Sequence, residues 1–281
     1  MPYAMVTPAV LFFIVFTIYP MLDMIVLSFH EYNVLTDRKY VGLKNYEYLI
    51  KNIDFGLALK NTFVYTVCLV FFLIFFSLVF AVCLEKESKI NAIVQRIMFF
   101  PHICSMLAIS LVFQWLMDEN GLFNAVLNVF KLPGLRWLES STTALISVVI
   151  VAVWKGIGYH TLILLSALKS IPREIIEASE IDGAGPIRKF FKIIVPMLSP
   201  QIFLLLITIT ISSFKVFDSV RILTAGGPGK STMVVVYYIY LYAQQYLKYG
   251  IAAAAGTILI LILIVMTIIY FKVVEKKVHY E

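Results

Sequence analysis

Polar residues in this chain are gathered into short clusters, and between them lie six long apolar runs. They extend approximately over Met5 to Phe29, Asn61 to Leu84, Ala92 to Met117, Thr143 to Leu168, Pro200 to Phe217 and Gly250 to Val273. An α-helix needs roughly 20 apolar residues to cross a ~30 Å hydrocarbon layer. The pattern therefore predicts an all-α, polytopic membrane protein with six transmembrane helices. The run after Pro200 is short and rich in β-branched residues, but Ser199 and Pro200 make a helix start, with a capping hydroxyl and a proline in the first turn.

Composition supports the same class. Hydrophobic residues make up 61% and charged residues 14%, where a soluble domain has about 45–50% and 25%. All 281 residues, 1–281, read as a single transmembrane domain. The first run has no basic segment before it and exceeds the roughly 7–15 apolar residues of a signal peptide, so it is expected to stay in the mature chain. The start MPYAM, without a positive charge, is compatible with a preceding cytoplasmic extension.

Cys68, Cys83 and Cys104 all fall in apolar runs and are expected to behave as small hydrophobes, with no disulfide and no metal site. The net charge of +6 is spread over many loops, which suits a membrane surface and argues against nucleic acid as a partner. Six spans put both termini on one side. Lys86, Lys89 and Arg96, then Lys169, Arg173, Arg188, Lys189 and Lys192, then Lys272, Lys276 and Lys277 lie on that side, and the positive-inside rule makes it cytoplasmic.

The loop between the fourth and fifth runs, residues 170–199, carries the most local information. Ser170 can cap a helix with Pro172 in its first turn. That helix is expected to run to about Asp182, with Gly183 in the left-handed region and Gly185-Pro186 restarting a second helix that ends near Pro196. Glu174, Glu177, Ala178 and Ile181 fall at i, i+3, i+4 and i+7 and form a stripe that is part acidic and part apolar. Such a stripe fits a groove lined by basic and hydrophobic groups. It equally fits an amphipathic segment lying on anionic lipid, and Glu177 is also placed to pair with Arg173.

The stretch LTAGGPGKST, Leu223 to Thr232, ends like a phosphate-binding loop, but Thr224 stands where that motif needs its first glycine. It lacks the α/β setting in which such a loop works. Its glycines and proline read as a turn whose amides Thr224 and Thr232 can satisfy.

Charge at membrane depth is costly and faces a cavity or a partner. Lys155 lies near the middle of the fourth run, beside Trp154 and one turn from Tyr159, while Thr208, Ser212 and Lys215 share one face of the fifth. Aromatic surface combined with hydrogen-bonding groups suits a pathway for a hydroxylated solute, and two lysines also suit a phosphorylated or acidic one. The same groups could instead bond one another between helices. His102 and His160 read as histidines satisfied between helices.

The segment EASEIDGAGPIRKFFKIIVPMLSP resembles the "EAA" signature of permease subunits of bacterial ABC importers. Glu177, Ala178, Asp182, Gly183, Ala184, Phe190, Ile194 and Pro196 stand at the family positions, and Ser179 replaces the second alanine. YVGLKNY (40–46), Asn61-Thr62, GLFNAVL (121–127), VWKGIGY (153–159) and LTAGGPGKST extend the resemblance to the carbohydrate-uptake branch, which includes oligosaccharide and glycerol-3-phosphate systems. The resemblance implies a bacterial inner-membrane subunit with both termini cytoplasmic, working by alternating access. It implies a second, related permease, two ATP-binding subunits that carry the ATP and Mg, and an extracytoplasmic solute-binding protein. This chain would then bind no cofactor and hold no catalytic residue, and Gly226, Gly227 and Pro228 would lie on the extracytoplasmic side. Glu174, Glu177, Ala178, Ser179, Ile181, Asp182, Gly183 and Ala184 would dock on the ATPase.

An ion-coupled transporter is the alternative from another class. It would call for a carboxylate at mid-depth, and only Asp23 and Asp218, near span ends, come close. Paired acids, metal-ligand spacing or a nucleophile with its base, as an intramembrane enzyme would need, are not evident.

Overall fold

The computed structural model describes residues 2–33 and 37–275, and the side chains of Pro2, Tyr3, Ala4, Arg173 and Glu180 fall outside that description. The chain is mostly helical. Four helices are long and apolar enough to cross a membrane: α1 (Met5–Leu27), α3 (Ile53–Cys83), α7 (Ala144–Lys169) and α13 (Tyr249–Val274). Two bent pairs raise the number to six if each pair is one span. They are α4 (Lys89–Ile103) with α5 (Met106–Leu116), bent by 103°, and α9 (Pro186–Met197) with α10 (Ser199–Phe214), bent by 68°.

Shorter elements complete the chain. A hairpin of β1 (His30–Glu31) and β2 (Lys39–Tyr40) and the helix α2 (Lys44–Lys51) follow α1. The others are α6 (Leu122–Val129), α8 (Arg173–Ile181), α11 (Asp218–Leu223) and α12 (Val235–Tyr240). The hairpin is a small departure from an all-α expectation. It is held because Asn45 donates from Nδ2 to the carbonyls of Ser28 (2.8 Å) and His30 (2.9 Å).

Local chemistry explains where several helices begin. α3 starts eight residues before the apolar run does, at a cap where Asn52 Oδ1 accepts from the Phe55 amide at 3.0 Å. α4 is capped by Ser88, whose hydroxyl accepts from the Asn91 amide at 3.0 Å. The start expected at Ser199 is shifted by one. Leu198 occupies the cap with no side-chain bond, Ser199 is already helical, and Pro200 stands in the first turn. Leu198 is 1% exposed, so packing rather than a capping hydroxyl sets that end.

The core forms around α3, α7 and α10, with Leu69, Leu73, Val148, Val151, Leu164, Leu205 and Ile209 buried between them. Hydroxyls knit the same helices: Ser213 Oγ donates to Thr66 Oγ1 at 2.8 Å, both buried. Such pairs are the usual glue where burial against lipid gives no gain. α1 lies at the edge. Its large apolar side chains are exposed, and it meets the bundle near Met24, which packs on Gly256 of α13.

Candidate functional site

Three regions predicted from sequence take definite shape. The first is the loop after α7. Glu174, Glu177, Ala178 and Ile181 all lie on the outward face of α8, and Ile181 is 86% exposed. Ile187 and Phe191 on α9 add exposed apolar surface next to it. The helix stops as expected. Gly183 has φ +71°, and the Ala184 amide reaches back to the Ser179 carbonyl at 3.0 Å, the long bond of a glycine-terminated helix end. Gly185 then caps α9 with Pro186 at its first turn. The Arg173–Glu177 pairing lies outside the described residues.

Ser179 faces inward, 5% exposed, and donates from Oγ to the Ile176 carbonyl at 2.6 Å. Ile176 packs with Leu168, Ile194 and Leu198 in a small hydrophobic cluster separate from the main core. Val82 of α3, Phe190 of α9 and Ile202 of α10 border it. The α3–α4 connection lies at the same end, where Lys169 Nζ meets Glu87 Oε1 at 3.2 Å.

The second region is a cavity of about 360 Å³ between α3, α7 and α10, bordered by the α4–α5 break and the start of α11 and lined by polar groups on a largely apolar wall. Lys155, Ser212 and Lys215 all line it, together with His102, His160, Tyr65 and Asp218. Trp154, Tyr159 and Thr208 do not. Trp154 turns towards an apolar groove of about 840 Å³ on the other side of α7 and packs edge-on against Phe113, with ring centroids 5.1 Å apart. Tyr159 stacks flat on His102 at 4.3 Å. Thr208 turns its hydroxyl back to the Leu204 and Leu205 carbonyls of its own helix.

Sequence reasoning placed the histidines between helices but not at the cavity wall. It left Tyr65 unremarked, because the cavity is assembled from segments far apart in the chain. Among the described residues, no group of three His, Cys, Asp or Glu side chains is placed to hold a metal ion. Asp23 bonds Arg38 at 2.8 and 3.1 Å.

The third region is LTAGGPGKST. Gly226 and Gly229 have positive φ, and a Cβ on Gly226 would strike the Tyr237 ring. The two threonines close the turn: Thr224 Oγ1 and Thr232 Oγ1 are 2.7 Å apart, and Thr232 donates to the Gly227 carbonyl at 2.8 Å. Lys230, the lysine of the phosphate-loop lookalike, is paired with Asp54 at 2.6 Å. Asn61 Nδ2 binds the carbonyls of Lys230 and Met233, each at 3.0 Å, and Thr62 Oγ1 accepts from the Val235 amide at 2.9 Å. Thr224, Lys230 and Thr232 are thus engaged within the protein, while among the described residues the buried Ser231 hydroxyl has no hydrogen-bond partner.

Comparison with known proteins agrees with this architecture. The probable ABC transporter permease protein YesP of Bacillus subtilis is 32% identical over 99% of this chain and 92% of that protein. The arabinooligosaccharides transport system permease protein AraP of Halalkalibacterium halodurans is 32% identical, covering 95% of this chain and 85% of its own. The sn-glycerol-3-phosphate transport system permease protein UgpA of Pectobacterium atrosepticum is 30% identical over 100% of this chain and 96% of its own. In fold, the chain superposes on a subunit of a bacterial ABC transporter involved in the import of the acidic polysaccharide alginate. The TM-score is 0.86 at 22% identity, over 98% of this chain and 94% of that one. Residues 3–280 match one family description, and the chain belongs to that family, the binding-protein-dependent transport system inner membrane components.

Proposed function

We propose that this chain is one of two related permease subunits of an ATP-driven importer, and that its solute is a sugar, an oligosaccharide or a related polyol. The observation that carries the reading is the α8 face. Two carboxylates and an isoleucine project from a short helix that is stopped at Gly183, and α9 continues from it into α10, which borders the cavity holding Lys155, Ser212 and Lys215. A docked ATPase could move α8, and the displacement would reach the cavity through one bent helix pair. The relative named for arabinooligosaccharides supports the solute class, and the one named for glycerol 3-phosphate supports a phosphorylated alternative.

In this reading two separate ATP-binding subunits carry ATP and Mg, both termini face the cytoplasm, and alternating access is driven by closure of the ATPase pair. A periplasmic solute-binding protein delivers the solute. The alginate transporter has been captured with such a protein bound. Ser212, Lys215 and the groups around them form this subunit's share of the path. A phosphorylated solute is the second reading, favoured by Lys215 at the cavity wall, which has no side-chain partner among the described residues.

The test is solute-stimulated ATP hydrolysis by the co-expressed complex in lipid, comparing the native chain with Glu177→Lys. Loss of stimulation together with a loosened ATPase subunit supports docking through α8. Unchanged coupling removes Glu177 from the contact, and failure of any ATPase to co-purify with the native chain removes the importer reading itself.

A further inference from the structure

Lys155 lies at the cavity wall, yet its ammonium is already engaged. It donates to the carbonyls of His102 (2.9 Å), Cys104 (2.9 Å) and Pro101 (3.3 Å). Those three oxygens belong to the last turn of α4 and the residues just beyond, where the chain breaks by 103° before α5. Cys104 and Ser105 are extended there, with ψ of 147° and 137°. A helix end leaves carbonyls without intrahelical partners and carries partial negative charge. A cation with three donors satisfies such carbonyls and complements their partial negative charge.

The neighbours of Lys155 on α7 grip the same turn. A Cβ on Gly158 would overlap the Met98 carbonyl, so α4 and α7 meet backbone to backbone. One residue on, Tyr159 stacks on His102, whose carbonyl Lys155 holds. On the far side of the break, Trp154 packs against Phe113 of α5.

We propose that the segment Trp154 to Tyr159 is a clasp that sets the α4–α5 bend, with Lys155 as its positioning residue rather than a ligand of the solute. Solute contact in this wall then falls to Lys215, with Ser212 left as an acceptor because its hydroxyl donates to the Ile209 carbonyl at 2.9 Å. The clasp fixes where His102 and Met106 stand at the cavity edge, and it makes the bend a defined corner instead of a loose joint.

The inference rests on the transport reading for its activity measurement alone, since its geometric measurement needs no transport. Spin labels at the exposed positions Ile90 on α4 and Trp115 on α5 report the bend by electron-electron distance measurement. They are introduced as cysteines in the complex reconstituted in lipid, with Cys68, Cys83 and Cys104 changed to alanine. Lys155→Met, which keeps the length and removes the donors, is expected to broaden the distance distribution. It should lower the maximal uptake rate about tenfold, with the half-saturating solute concentration changed less than about twofold. Lys155→Arg, which keeps cation and donors, is expected to restore most of the rate and the narrow distribution. Tyr159→Leu, a milder loosening of the same turn, is expected to broaden it in part and serves if Lys155→Met does not assemble. An unchanged distribution in the assembled variants overturns the clasp. A raised half-saturation with an unchanged maximal rate in Lys155→Met returns Lys155 to the solute. If no uptake is found even with the unsubstituted chain, the transport reading falls while the distance result still decides the clasp.

Discussion

Asn61, near the start of α3, holds Lys230 by the main chain and not by its charge: the Asn61 amide bonds the Lys230 and Met233 carbonyls at 3.0 Å each. The lysine's own ammonium reaches Asp54 on the same helix. About two turns of α3 therefore anchor a loop about 170 positions away along the chain.

Removing that anchor takes the side-chain donor from two carbonyls at a site where Asn61 is 9% exposed: the Lys230 carbonyl keeps the Met233 amide at 3.2 Å, and the Met233 carbonyl is left unsatisfied among the described residues. Asn61→Ala is expected to cost about 1–3 kcal/mol, the range for buried polar groups left unsatisfied. Thermal unfolding of the purified chain in detergent, followed by circular dichroism, should show a clear drop in midpoint. An unchanged midpoint would mean that the loop holds its shape without Asn61.

Lys230→Ala removes a charge pair whose side chains are 53% and 34% exposed, so its effect is expected to stay within about 0–1 kcal/mol and to fade with added salt. Because the lysine is paired and the loop's polar groups face inward, the substitution is also expected to leave ATP affinity of the complex unchanged. A large rise in the ATP concentration required for turnover would revive the nucleotide-loop reading.

Ser179 tests the inner side of α8. Among the described residues its hydroxyl bonds only within its own helix turn, so Ser179→Ala should be nearly silent, within about 0.5 kcal/mol. Ser179→Leu adds bulk to a buried position and is expected to cost about 1–3 kcal/mol through overpacking. Hydrogen exchange of residues 174–184 distinguishes the two, with faster exchange expected for leucine alone.

The four long apolar helices were legible because an apolar run of that length is stable in a bilayer as a helix that satisfies its own backbone. The loop at Gly183 was legible for a similarly local reason, since a glycine after a polar helix and a proline two residues beyond Ala184 leave little choice. The break at Cys104 and Ser105 was not. Hydrophobicity continues across it, Pro101 lies inside α4, and the Lys155 ammonium that satisfies the freed carbonyls comes from about 50 positions further along. For the same reason the sequence left Lys155 open between a solute pathway and a bond to neighbouring helices. The sharing of a face by Thr208, Ser212 and Lys215 was visible from helical spacing. Which of them meet the cavity depended on where α10 ends, because Lys215 already sits at its C-cap.

The small cluster beneath α8 bears on how such proteins could be recombined. Its members come from the loop, from the end of α7 and from α9, but also from Leu78 and Val82 of α3, about 90 positions earlier, and from Ile202 of α10. Leu78 and Ile202 also pack against the main core. Under the proposed docking role, the unit that would meet the ATPase is therefore discontinuous in sequence. A chimera that imports residues 170–199 from a relative would keep the native Leu78, Val82 and Ile202 under a foreign lid, and matching the partner ATPase would mean exchanging those three side chains along with the loop.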